Sequence, residues 1–206
     1  MIVVAAGNQR PDDLPPATDL LSTYPNYLLT EGARVPEPAI AANTVTVGSI
    51  AHADTPQTLD GTSRPGDRAI AGPAQPSPFT RTGPGTAGAI KPDLVEHGGN
   101  WVLDDTDRLR DPEHGVSMIS LLRRDARLFG VANGTSFAAP RVARLAAAIL
   151  NRYPDAGANL VRALLGGISV PMIHKGIAEL EVGDHLEAGR VRRRGGGRHP
   201  SDDVYR

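Results

Sequence analysis

The chain has 206 residues, of which 40% are hydrophobic and 22% charged, a composition typical of a soluble globular domain with a packed core. Its formal net charge of −1 gives no whole-chain field, so we expect neither a nucleic-acid nor a membrane partner. The absence of cysteine excludes disulfides and thiolate metal sites.

The first half of the chain predicts short strands separated by long loops. Residues 2–6 form a continuous apolar run that ends at a Gly-Asn pair, which predicts a buried strand. This run starts at the first residue without a preceding turn, so we expect upstream sequence to be missing. Residues 9–38 are rich in Pro, Asp and Thr and predict a loop, and residues 52–78 predict an irregular surface excursion. Strands are expected at 44–50, where β-branched residues concentrate, and at 92–96.

The second half predicts the clearest helix. Residues 103–115 are charged and expected to be exposed, and 116–122 and 128–131 are interpreted as two strands. Apolar residues recur at helical spacing over 137–153, and most of them are small, so this helix can lie deep in a core. A shorter helix is expected over 159–165.

The C-terminal segment differs in composition from the rest. We expect one domain over residues 1–172 and a basic, glycine-rich, disordered tail over 173–206. The run of arginine and glycine at 190–198 could also be an arm for nucleic acid or an acidic partner, or the product of a reading-frame error.

Ser136 stands at the start of the predicted helix. Its backbone N–H and those beside it have no partner within the helix, and the helix dipole favours negative charge there. A nucleophile that forms a tetrahedral oxyanion needs this environment. The alternative is a helix N-cap, which is the commoner use of such a serine.

Four segments resemble subtilisin-like serine peptidases (subtilases, peptidase family S8), in that family's order. They are VVAAGN at 3–8, ANTVTVGS at 42–49, SPFTRTG at 77–83 followed by KPDL at 91–94, and GTSFAAP at 134–140. Together they indicate the C-terminal half of a subtilase catalytic domain. The sequences SPFTRTGPG, from residue 77, and KPDLVEHGG, from residue 91, resemble those of intracellular bacterial subtilases.

The resemblance implies a fold and a site. The fold would be α/β, part of a subtilisin-like three-layer architecture with a mostly parallel sheet and helices on both faces. Ser136 would be the nucleophile, and Asn8 would donate its side-chain amide to the oxyanion; apart from the resemblance, Asn8 reads as a turn residue. The substrate would be an extended peptide or protein segment with broad or large apolar preference at the first pocket. Substrate-binding positions would be Ala5, Ala6, Gly7, Gly134 and Thr135.

The chain departs from the family in one respect. The subtilisin triad runs Asp, His, Ser along the chain, and the seven residues before Asn8 contain neither an acid nor a histidine. All six histidines follow Asn8, outside a His-Gly-Thr context, and are interpreted as surface or loop residues. We therefore expect the chain alone to be an inactive fragment that needs the missing N-terminal half for folding or activity.

Other readings stay open at this stage. The chain could be a non-catalytic peptide-binding pseudo-peptidase or scaffold, or a different hydrolase that uses a downstream histidine. We expect no cofactor and no catalytic metal. Structural calcium is allowed by the resemblance, although the Asp104, Asp105 and Asp107 cluster reads as solvated charge. The lack of an export signal in the chain as given indicates a cytoplasmic protein.

Overall fold

A computed structural model describes residues 1–121 and 128–167. In chain order the strands are β1 (Ile2–Ala5), β2 (Thr44–Ile50), β3 (Arg68–Ala69), β4 (Leu94–His97), β5 (Val102–Leu103), β6 (Leu109–Arg110), β7 (Met118–Leu121) and β8 (Phe129–Ala132). The helices in the described residues are α1 (Ala17–Thr23), α2 (Thr135–Arg152) and α3, described over 158–167, and short 3-10 helices lie at 11–13, 26–29, 31–33 and 86–88. The tail predicted at 173–206 lies outside the described residues.

A parallel sheet in the order β1–β2–β4 is the centre of the fold. All seven residues of β2 are buried, because this strand has a neighbour on each side. Within the described residues β1 pairs only with β2, so one of its edges is open and Ile2 is 60% exposed. The predicted strand at the start of the chain is confirmed, but the prediction that it is buried is wrong, because Ile2 is exposed and the other three residues of β1 are only partly buried.

Helix α2 packs across all three strands of this sheet. Its buried face carries Ala138, Ala139, Val142 and Ala146, and the small side chains allow the helix to lie close to the sheet. These residues share one apolar core with the strands and with α3, through Val45, Val47, Leu94, Val161 and Leu165. The predicted α/β fold with a parallel sheet is confirmed.

The Lys-Pro-Asp segment joins the ends of two strands. Lys91 has a nearly buried side chain, and its Nζ donates to the Thr44 carbonyl at 3.2 Å and to Thr46 Oγ1 at 3.0 Å. It also contacts Asp93 Oδ2 at 2.7 Å, and this oxygen accepts a hydrogen bond from Thr46 N at 2.7 Å. A buried charge is tolerated because every neighbour is an oxygen acceptor.

Two sequence predictions outside this sheet were wrong in part. The loop predicted over 9–38 contains α1, whose Leu20 is buried in a second core with Phe79 and Trp101. The segment predicted as exposed over 103–115 contains β6 and begins with the fully buried Leu103. In both places the buried residues are too few and too widely spaced to give a periodic apolar pattern.

Within the acidic cluster that was predicted to be solvated, Asp104 is buried, whereas Asp105 is exposed. Asp104 is only 7% exposed, and its Oδ1 accepts hydrogen bonds from Arg108 N and Thr106 N, both at 2.9 Å. The Arg108 amide, followed by the Thr106 hydroxyl, lowers the pKa of Asp104 to about 2. The carboxylate stabilises a turn of the chain.

Strands β7 and β8 form a hairpin that leads directly into α2. Ile119, Leu121 and Phe129 are each more than half exposed on it. Because Leu121 pairs with Phe129, these side chains lie on one face of the hairpin.

Candidate active site

Ser136 is the second residue of α2 and is exposed. Gly134 is the residue at the N-cap position, and it makes no side-chain cap bond. The N-cap alternative for Ser136 is therefore wrong. No described residue accepts a hydrogen bond from Ser136 N, since the first N–H groups of a helix have no carbonyl partner within it.

Asn8 follows β1, and its side chain reaches the start of α2. Its Oδ1 accepts two hydrogen bonds from Thr135, one from the backbone N and one from Oγ1, both at 2.9 Å. This pairing assigns the amide orientation, because a nitrogen in the place of Oδ1 would face two donors. Asn8 Nδ2 is left without a partner in the described residues and is available to donate.

The two free donors lie near each other. The position that a Cβ on Gly134 would occupy is 3.0 Å from Asn8 Nδ2 and 3.7 Å from Ser136 N. Two residues separated by more than 120 positions in the chain thus bring an amide nitrogen and a backbone N–H to one place. Gly134 has a φ of +150°, a backbone conformation that residues with a side chain rarely adopt. A Cβ at this position would also lie too close to the Asn8 amide.

Thr135 connects the strand end to the helix start. It is 1% exposed, its Oγ1 donates to Asn8, and the same oxygen accepts a hydrogen bond from Gly7 N at 3.2 Å. The side chain therefore faces the strand end. Its assignment as a substrate-binding residue, like that of Gly134, stays a prediction.

The three small residues at the end of β1 differ in exposure. Ala6 is fully buried against Val35 and Ala39, whereas Ala5 and Gly7 are partly exposed. A Cβ on Gly7 would lie 3.2 Å from Arg81 Cδ, so the Arg81 stem already occupies the space beside this glycine. The assignment of Ala5, Ala6 and Gly7 to a substrate pocket stays a prediction.

The SPFT segment supports the strand ends from the other side. Gln9 N donates to the Phe79 carbonyl at 2.7 Å, and Asn8 forms an antiparallel bridge with Thr80. Ser77 Oγ donates to the Gly99 carbonyl at 2.6 Å and contacts Ser49 Oγ at the same distance. The motif therefore has a structural function that the sequence did not predict.

Asn133 also braces the start of α2. Its Nδ2 donates to the Asn100 carbonyl at 2.8 Å and to Asp111 Oδ1 at 2.7 Å. The following N–H, that of Gly134, donates to the Gly98 carbonyl at 2.9 Å. The turn before Ser136 is thus held by residues of the loop after β4.

Within residues 1–121 and 128–167, no histidine or carboxylate makes a hydrogen bond to Ser136. The rings of His52 and His97 contact each other edge to face, with centroids 6.3 Å apart. Burial lowers the pKa of His52, and the nearby charges of His97 and Arg141 lower it further. Three other histidines, His174, His185 and His199, lie outside the described residues.

Residues 1–121 and 128–167 contain no group of three or more His, Cys, Asp or Glu side chains that could hold a metal ion. In the same ranges no helix has the length and apolar character required to cross a bilayer.

Comparison with known proteins identifies the family of the chain. A sequence model of the subtilase family (Peptidase_S8) matches residues 1–167. The chain is 44% identical over 173 residues to a Sinorhizobium fredii protein that bears only the name "Uncharacterized protein y4bN". That match covers 80% of this chain but 39% of the relative, so the chain spans about two fifths of the relative's length. The chain belongs to the subtilase family.

Proposed function

We propose that this chain supplies the nucleophile and the oxyanion hole of a subtilisin-like endopeptidase, with Ser136 as the nucleophile. The main support is the convergence of Asn8 Nδ2 and Ser136 N, two unpaired donors, beside the exposed Ser136. Donors that are already aimed at a developing negative charge do not have to reorganise during the reaction. In subtilisin, removal of one such donor costs about 100- to 1000-fold in turnover.

The proposed reaction is acyl transfer through a covalent intermediate. Ser136 Oγ attacks the peptide carbonyl and loses its proton to a base, while the carbonyl oxygen becomes negative and accepts from the two donors. The base then protonates the leaving amine as the carbon–nitrogen bond breaks. Water attacks the acyl-enzyme in the same way and releases the new carboxyl end and free Ser136.

The base and its orienting acid would come from polypeptide outside this chain. Removal of the triad histidine costs subtilisin on the order of a millionfold in turnover, so we expect negligible hydrolysis by the chain alone. The open edge of β1 offers unpaired backbone groups to which a completing segment could add a strand. That segment would carry the aspartate and the histidine.

The proposed substrate is an extended peptide segment. Ala5, Ala6 and Gly7 would border the first specificity pocket, and Gly134 and Thr135 would lie beside the scissile bond. Small side chains at these positions favour a broad or large apolar preference. Strict selection of acidic or basic residues, seen on profiling a peptide library with the completed enzyme, would contradict this.

A peptide-binding protein without catalysis is the second candidate. It is favoured by the absence of an acid or base bonded to Ser136 in residues 1–121 and 128–167. Such a protein would bind extended peptides without cleaving them, and Ser136→Ala would leave the affinity unchanged.

A fluorophosphonate probe separates these proposals. The purified chain should label at Ser136 no faster than an ordinary serine. The chain mixed with or fused to a subtilase N-terminal half that carries the aspartate and the histidine should label rapidly, and Ser136→Ala should abolish the signal. Rapid labelling of the chain alone would refute the need for a completing segment. Failure of every combination, together with tight peptide binding, would favour the second candidate.

A further inference from the structure

Arg81, which directly follows the SPFT segment (77–80), is one of the residues that join this segment to the end of β1. Its backbone N donates to the Gly7 carbonyl at 3.1 Å, and its Nε donates to the Asn8 carbonyl, also at 3.1 Å. One residue thus holds two consecutive carbonyls, on either side of the Asn8 α-carbon. Arg81 lies within the subtilase-like motif SPFTRTG, but the motif does not predict a function for it.

The rest of the guanidinium group is also engaged. Nη1 donates to the Gly32 carbonyl at 2.8 Å and to the Arg34 carbonyl at 3.1 Å. Nη2 lies 3.9 Å from Asp13 Oδ2, and the side chain is 20% exposed. The planar fork therefore joins three backbone carbonyls from two separate segments, a geometry that an ammonium group cannot reproduce.

Asn8 needs such a fastening because packing does not hold it. The residue is exposed, and the hydrogen bonds of its carboxamide all go to one partner, Thr135. The place of Nδ2 therefore depends on where the backbone of Asn8 lies relative to α2. Beside the backbone hydrogen bonds of Gly7 and Gln9, Arg81 Nε fixes that place through a bond from a charged group to the Asn8 carbonyl, which is stronger than a bond between neutral groups.

We infer that Arg81 is a positioning residue of the oxyanion hole, which acts on the reaction by fixing the Asn8 backbone and so the direction of Nδ2. The inference rests on the proposed function. Arg81 itself does not touch the reacting atoms, so its removal should lower turnover without weakening substrate binding. The effect should also depend on the presence of the Asn8 side chain.

The first test measures the position of the Asn8 side chain in the chain alone, so it does not require catalytic activity. In Arg81→Met, we expect hydrogen exchange of the Thr135 amide to become about tenfold faster, because its acceptor on Asn8 is no longer held in place. The side-chain amide signals of Asn8 in a 15N NMR spectrum should broaden or shift. Arg81→Lys should restore these signals only in part.

Arg64→Met is the matched control for this test. Arg64 is also a partly exposed, ion-paired arginine, bonded to Glu113 at 2.8 Å, and its partners Glu113 and Asp67 lie outside the candidate site. It should leave the Thr135 exchange rate and the Asn8 signals unchanged. Unchanged exchange and unchanged signals in Arg81→Met, with native fluorescence of Trp101 as the check of folding, would overturn the inference.

The second test is a double-mutant cycle in the completed enzyme. Arg81→Met should reduce kcat about tenfold with KM within about twofold. The same change in an Asn8→Ala background should have almost no further effect, because Arg81 acts through that side chain. Additive losses, or a loss confined to KM, would overturn the inference.

The two tests also separate the inference from the proposed function. If Asn8→Ala leaves kcat unchanged, the proposed oxyanion hole is wrong, while the exchange of the Thr135 amide still reports on whether Arg81 positions Asn8. If Asn8→Ala lowers kcat but Arg81→Met does not, only the role of Arg81 is wrong.

Discussion

The bond between Asn8 and Thr135 makes a prediction that separates structural from catalytic function at one position. Asn8→Ala removes the acceptor of both the backbone N–H and the hydroxyl of Thr135. Because Thr135 is 1% exposed, water does not readily replace that acceptor. Asn8→Asp is the matched variant, since it keeps an oxygen in the same place but removes the donor Nδ2.

The expected magnitudes follow from the groups left unpaired. A buried donor without a partner costs about 1–3 kcal/mol, and loss of an N-terminal cap costs about 1 kcal/mol. The two costs are not fully additive, because the bond from Thr135 N to Asn8 Oδ1 is both the cap of α2 and one of the two bonds that the substitution removes. We therefore expect Asn8→Ala to lower the free energy of unfolding by about 2–3 kcal/mol. Asn8→Asp should stay within about 1 kcal/mol of the wild type, because its charge lies at the positive end of α2.

Urea unfolding followed by the fluorescence of Trp101, the one tryptophan of the sequence, measures both values. In the completed enzyme, Asn8→Asp should nevertheless reduce fluorophosphonate labelling of Ser136 about 100-fold or more. If Asn8→Ala is as stable as the wild type, Asn8 does not cap α2. If Asn8→Asp is destabilised as much as Asn8→Ala, the assigned orientation of the amide is wrong.

Three further predictions test other parts of the structure. Gly134→Ala should lower the free energy of unfolding by about 1–2 kcal/mol and slow probe labelling of Ser136, because the φ of this residue is +150° and the new methyl would lie 3.0 Å from the proposed amide donor. Urea unfolding and probe labelling measure the two effects. Gly157→Ala is the control, because a Cβ there meets no neighbour within 4 Å. Lys91→Met should cost about 2–4 kcal/mol by the same unfolding assay, since it leaves buried oxygen acceptors unpaired. The Arg108 amide lowers the pKa of Asp104 from 3.8 to about 2, so the stabilisation by this carboxylate should be complete above pH 3.8 and lost as the pH falls towards 2. The difference in unfolding free energy between wild type and Asp104→Asn should shrink over that interval, and a difference that stays constant from pH 5 to pH 2 would contradict the assignment.

The elements that could be predicted from the sequence are those with a dense local signal. The β-branched run over residues 44–50 predicted the observed bounds of β2, and the apolar period of α2 placed this helix within two residues of its observed start. The hairpin of β7 and β8 was also expected as two strands. In each case neighbouring residues favour the same conformation.

The parts that could not be predicted depend on contacts between distant residues. Helix α1 is short and surrounded by prolines, and it is stabilised by Leu20 in a core that Phe79 and Trp101 complete. The link from Asn8 to Thr135 spans 127 positions, and no periodicity carries information over that distance. The family-like motifs predicted Asn8 and Ser136 as site residues, but they did not predict the hydrogen bonds of Arg81.

The turn before α2 has a consequence for chemical ageing. Asn133 and Gly134 form an Asn-Gly pair, the dipeptide in which backbone nitrogen most readily attacks the preceding side-chain amide and converts it to aspartate or isoaspartate. In the folded chain that nitrogen donates its hydrogen to the Gly98 carbonyl, and the Asn133 amide is bonded to Asn100 and Asp111. Cyclisation therefore requires the turn to open, so isoaspartate at this position in a stored sample would record how often the start of α2 unfolds.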